Sequence, residues 1–184
     1  SAVASRATLV EAAERTPVVQ VDRYVEEYPA DWVGVDDLLG VSMAVEHVVA
    51  LGARHIAFVS ASLESTSARR RLAGFERVIE RHGLPVETGR LLGTFRAEWG
   101  RSAAERIIER GQLPDAVVCG NDEIAVGLLG EFRRRRVRVP EDVLVTGFDD
   151  IRFAQLADPP LTTVRQPGDQ IAAECIRLLD ARML

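Results

Sequence analysis

LPDAVVCGNDEIAVGLL, residues 113–129, sets a short apolar run against an amphipathic one with a polar turn between them. Ala116 to Cys119 is continuously apolar, of strand length, and bounded by Pro114 and Gly120. A strand with no polar alternation suits a parallel sheet covered on both faces. Downstream, Ile124, Leu128 and Phe132 recur at helical spacing, with Ala125 and Leu129 beside them on the same side. Asn121 takes the N-cap position, and Asp122 and Glu123 put negative charge at the positive end of the helix dipole. Arg133 to Arg136 follow in the last turn, where cations are favoured. Capping accounts for Asn121. Its place beyond the carboxyl end of a parallel strand, where open α/β sheets bind ligands, also makes it a candidate ligand contact.

Working outward, the same strand, turn and helix unit repeats. Residues 5–14 read as helical and lead through Pro17 into the strand VVQV, which ends at Asp22 and Arg23. WVGV, residues 32–35, ends at Asp36 and Asp37. A helix is predicted over 40–51, with Val41, Ala44, Val45, Val48 and Leu51 on one side and Gly52 as its stop. The strand HIAFVS closes at Ser60, and a polar turn leads to a helix over 68–82 that buries Leu72, Phe75, Val78 and Ile79. RLLGTF reads as a strand with Phe95 near its end, and 99–110 as the next helix. VPEDVLVTGF ends at Asp149 and Asp150; PPLTTVRQP is extended, and a last helix begins at Pro167 and carries Ile171, Cys175, Leu178 and Leu179. This alternation predicts an α/β fold with parallel sheet.

Composition narrows the function classes. The chain has 184 residues, 47% of them hydrophobic, and a formal net charge of −5, so it can build a core and carries no overall basic footprint for nucleic acid. Every basic residue is Arg. The start of the chain lacks the pattern of a signal peptide and no apolar run is long enough to span a bilayer, so the expected location is cytoplasmic, with no membrane partner. Cys119 and Cys175, both in apolar surroundings, are expected to be free thiols. His47, His55 and His82 are isolated, and no C-x-x-C or H-E-x-x-H spacing occurs, so no metal site is expected. There is no glycine-rich phosphate loop and no G-x-S-x-G elbow, so the chain is read as a non-enzyme that needs no cofactor.

The residues that follow the strands are Asp22, Asp36, Ser60, Phe95, Asn121 and Asp149. A parallel sheet brings such groups to one edge, where they converge on a cleft. Turn and cap preferences explain the acids and Asn121 one at a time, but an aromatic ring at Phe95 neither caps nor bends a chain. Ser67-Ala68-Arg69-Arg70-Arg71 adds an anomaly: with Ser67 as the cap, three arginines would occupy a first turn where the dipole disfavours them. Of these, Arg71 stands one position before Leu72 and is best placed to look inward. An Arg, several carboxylates, an amide and an aromatic face together suit recognition of a polyol such as a sugar.

These pieces resemble the effector-binding region of the LacI (lactose-repressor) family of bacterial transcription regulators. The matching stretches are PVVQVDR (17–23), VDDLLG (35–40), VEHVVALGARHIAFVS (45–60), SARRRLAGF (67–75), VVCGNDEIAVGLL (117–129), VPEDVLVTGFDD (139–150) and PPLTTVRQP (159–167), in family order along almost the whole chain. The resemblance implies a two-lobed, periplasmic-binding-protein-like fold with an effector held between the lobes. It implies that Arg71 and Asp149 bind the effector, that Phe95 packs on it, and that Asn121, Asp36 and Asp22 line the site. It also implies a homodimer that reaches operator DNA through a headpiece absent from this chain. Matching by family places 1–52 and 165–184 in an incomplete N-terminal lobe and 53–164 in the C-terminal lobe. Asp37 stands where many relatives carry Asn, and the purine-binding branch uses a similar Arg, Phe and Asp set. A sugar-binding protein of a transport system, which shares the fold, is the alternative reading.

Overall fold

A computed structural model describes residues 10–183 apart from 12, 14, 27, 29 and 86–89. The expected helix over 5–14 falls largely outside the described residues. The chain divides into two compact units, residues 1–35 with 167–184, and residues 36–166.

In the first unit β1 (Val19–Val21) pairs in parallel with β2 (Asp31–Val33), and α5 (Gly168–Met183) packs against both. Val33 and Tyr28 are buried, but no residue of α5 is. Ile171, Cys175, Leu178 and Leu179, expected as the core face of that helix, are only half-buried, because two short strands offer little surface to pack on. Asp31 accepts from Arg182 Nε at 2.6 Å, tying the end of α5 to β2.

The second unit holds β3 (Ile56–Ala61), β4 (Arg90–Gly93), β5 (Ala116–Cys119), β6 (Leu144–Asp149) and β7 (Thr162–Arg165), all parallel in the order β4-β3-β5-β6-β7. Helices α1 (Asp37–Ala50) and α2 (Thr66–Arg81) cover one face, and α3 (Ala97–Glu109) and α4 (Asp122–Arg134) the other. On the α3 and α4 side, Ile107, Ile124, Leu128 and Phe132 meet Val59, Val117 and Cys119, all at most 1% exposed. Burying each large side chain is worth about 1.5–3 kcal/mol. On the other side Phe75 of α2 stacks on Phe58 at 5.0 Å between ring centroids. The apolar run 116–119 is thus a strand enclosed on both faces, and the turn after it is capped as its residues dictate.

Three expectations change. Helix α1 begins at Asp37, three residues before Gly40, because Asp36 caps it by accepting from the Leu39 N–H at 3.2 Å. It packs on α2, β6 and β7, all within the second compact unit. Its end also differs: Leu51, expected inside, is 60% exposed at the C-cap. Helix α2 begins at Thr66 after Ser65, so Ser67 lies inside the helix rather than capping it. Arg69 to Arg71 consequently stand beyond the first turn, where the dipole opposes them less.

Candidate functional site

Strand order locates the site before any side chain does. From β3 the chain moves outward to β4, crosses back to β5, and then runs the other way through β6 and β7. The carboxyl ends of β3 and β5 therefore flank a topological switch point, where open α/β sheets bind ligands. Gly120 follows β5 there, and a Cβ at that residue would lie 2.2 Å from Ser60 Oγ at the end of β3. Only glycine lets the two strand ends approach so closely.

Arg71 reaches this point from α2 and is 3% exposed. Its Nε donates to Asp37 Oδ1 at 2.7 Å and its Nη1 to the Gly120 carbonyl at 2.6 Å. Its Nη2 lies 3.6 Å from Asp149 Oδ1. The guanidinium stacks on Phe148, 3.9 Å from the ring centroid, and stands 5.7 Å from that of Phe95. A buried guanidinium is tolerated only when its donors are met, and here the partners come from α1, the β5 turn and β6.

Asp149 is turned toward Arg71 by an unusual backbone. It and Asp150 have φ of 114° and 57°, a region costly for residues with a side chain. The turn is held by Gln166 Nε2, which donates to Asp149 Oδ1 at 2.7 Å, and by Arg165 paired with Asp150 at 2.7 Å. Asp122, fully buried at the start of α4, accepts from the Ile151 N–H at 2.8 Å and the Thr163 hydroxyl at 2.6 Å, and burial pushes its carboxyl above the usual range. That anchor ties α4 to the turn that presents Asp149.

Asn121 and Phe95 form the opposite rim. Asn121 Oδ1 caps α4 by accepting from the Ile124 N–H at 3.0 Å, and its Nδ2 donates to the Phe95 carbonyl at 3.5 Å. The amide therefore both caps a helix and positions the aromatic residue.

Arg71, Asp149, Phe95 and Asn121 thus come together at one strand edge. Asp36 does not touch Arg71: it caps α1 and takes Arg70 Nη2 at 3.2 Å, with half its side chain exposed. The acid against Arg71 is its neighbour Asp37, 2% exposed. Asp22 belongs to the first unit, where its φ is 61° and its carbonyl accepts from Trp32 Nε1 at 3.0 Å. Sequence reasoning also missed Phe148, whose signal was its place as the last aromatic of a strand before two acids.

The thiol of Cys119 is enclosed, and burial with the nearby Asp122 carboxylate pushes its pKa far up, which leaves it no nucleophile. Among the described residues no group of three His, Cys, Asp or Glu is placed to hold a metal ion, and no helix is long and apolar enough to cross a membrane.

Residues 45–184 match the family described as a periplasmic binding protein-like domain. The ribose operon repressor of Escherichia coli K12 is 33% identical over 91% of this chain and 51% of its own length. The chain spans about half the length of the curated relatives it matches. A LacI transcriptional regulator from a Rhodococcus species superposes with a TM-score of 0.91 at 29% identity, over 98% of this chain and 67% of that one. The lac repressor dimer bound to operator and the anti-inducer ONPF gives 0.83 at 30% identity, over 95% and 61%.

Proposed function

Because this chain belongs to the periplasmic binding protein-like domain family, in the branch of LacI-type transcription regulators, we propose that it senses a small effector, a sugar or related polyol, at the Arg71 edge. The observation that carries this reading is the buried guanidinium held at the switch point between two carboxylates and two aromatic rings. In this proposal Arg71 and Asp149 take ligand hydroxyls, Phe95 packs on the sugar's C–H face, and Asn121 keeps Phe95 in place. Asp37 holds Arg71 from behind. Asp36, at the exposed start of α1, is the further acid of this unit that a ligand could reach.

Sensing would follow from differential affinity: an effector that binds one conformation of the protein better shifts the population toward it. The lac repressor structure, a dimer on operator DNA with a small ligand, supports extending the proposal to a homodimer that controls operator binding from the cytoplasm, through a segment outside this sequence. The named relatives are repressors and regulators, which favours sensing over transport.

A thermal-shift panel tests the proposal, with D-ribose, D-galactose, D-glucose and adenosine tested against the full chain and against Arg71→Ala. A ligand at a hundred times its dissociation constant adds about 2.7 kcal/mol. One compound should raise the melting temperature of the parent and not of the variant. A shift that survives Arg71→Ala would remove the site from the proposal.

A further inference from the structure

We propose that the outer groove between α1 and α2 is a docking site for an amphipathic helix of a partner protein, one that brings apolar side chains at helical spacing and an acidic edge. The inference is independent of what binds at Arg71.

Helix α1 is apolar on more than its inner side. Val41, Ala44, Val45, Val48 and Val49 are buried, but Leu39 and Met43, one turn apart on the outer side, are 55% and 59% exposed. A surface helix ordinarily turns polar residues outward, and one that is apolar all round is a helix that something covers. Here the two side chains line one wall of a groove of about 610 Å3, and Arg77 and Arg81 of α2, also one turn apart, line the other.

The floor of this groove is fixed. Ser42 donates its hydroxyl to the Leu38 carbonyl at 2.8 Å and across to the Gly74 carbonyl of α2 at 3.2 Å. A Cβ at Gly74 would lie 2.4 Å from the Leu38 carbonyl oxygen, so the two helices meet backbone to backbone beneath the groove. Glu46 marks one end, where it meets Arg81 at 2.9 Å and His82 at 2.8 Å, and Asp36 marks the other, with Arg70 at 3.2 Å. At a rise of 1.5 Å per residue, the wall from Leu39 to Glu46 is about 10 Å long and seats two turns of helix.

The lining charges decide which helix fits. Both acids in the groove, Asp36 and Glu46, are engaged by cations, whereas Arg77 is exposed and has no ion pair or hydrogen bond among the described residues. An acidic side chain entering opposite the apolar wall meets Arg77, and a basic one meets a like charge. Apolar anchors at i and i+4 meet Leu39 and Met43, the way an amphipathic helix seats in a groove, and the unbranched Met43 adapts its shape to them.

Two fluorescein-labelled synthetic helical peptides are the probes, each about four turns long. Both carry leucine at i, i+3, i+4 and i+7; one has glutamate and the other lysine along the flank of that stripe. Fluorescence anisotropy follows their titration with the full chain. The glutamate peptide should bind saturably and at least about ten-fold more tightly than the lysine peptide. Arg77→Glu, checked as folded by circular dichroism, should reverse that order, and Met43→Ser should weaken both peptides at least about ten-fold. A parent that binds neither peptide would overturn the proposal, as would a preference for glutamate that survives Arg77→Glu. A parent that sediments as a dimer and becomes a monomer on Met43→Ser would assign the groove to a second copy of this chain and overturn it as well.

Discussion

Replacing Arg71 with Met tests how the site is held together. The Arg71 and Asp37 side chains are each 3% exposed and meet at 2.7 Å, so the pair is desolvated. Removing one partner of such a buried ion pair costs about 3–5 kcal/mol. Position in the first turn of α1 returns only about 0.3–1 kcal/mol to the Asp37 carboxylate through the helix dipole. The Gly120 carbonyl also loses its donor, a cost contained in the same figure rather than added to it. For a domain stable by about 5–15 kcal/mol the loss is a large share. Urea unfolding followed by circular dichroism measures it in the parent, Arg71→Met and the double variant Arg71→Met with Asp37→Leu. Replacing both members by apolar groups should recover most of the loss, because a buried ion pair exchanged whole for apolar packing is often neutral. A single-variant loss below about 1 kcal/mol, or a double variant no more stable than the single one, would refute the picture of a desolvated, mutually dependent pair.

Asp122 carries a pH dependence of its own: burial raises its folded pKa above the ordinary 3.8, so its contribution declines as pH rises through the interval above that value. Urea midpoints from about pH 4 to about pH 6 should fall less steeply in Asp122→Asn than in the parent. Asn121→Ala should cost about 1 kcal/mol through loss of the α4 cap, and Asn121→Asp should retain most of it; equal melting of all three would mean the cap contributes nothing. Gly127→Ala would place a Cβ 1.9 Å from the Ala97 carbonyl where α3 and α4 pack, and should cost about 1–3 kcal/mol by denaturant midpoint. A neutral result there would mean the two helices separate freely.

What was legible in the residues follows the range of the signals involved. The run 116–119 and the helix behind it repeat an apolar pattern over many positions, and the enclosed strand, the Asn121 cap and the buried Ile124, Leu128 and Phe132 all lie where that pattern puts them. Arg71 was legible for the same reason, as the residue one position before Leu72 on a strongly amphipathic helix. The choice between Asp36 and Asp37 depended on where one helix begins, and a helix turns about 100° per residue. Starting α1 at Gly40 leaves both acids in an extended turn, with nothing to tell them apart. Starting it at Asp37 makes Asp36 the cap, turned to solvent and Arg70, and swings Asp37 inward onto Arg71. Ser65 and Ser67 repeat the problem at α2. Both candidates are good caps, Ser65 makes no side-chain capping bond, and nothing local separates them. What sets α1 is tertiary. A Cβ at Gly40 would meet the Phe148 ring at 2.6 Å, so that helix lies closely over the same strand whose aromatic ring carries Arg71. The contact that selects the helix start thus also builds the site, and it joins residues more than a hundred positions apart. A reading that moves along the chain one element at a time has no access to it.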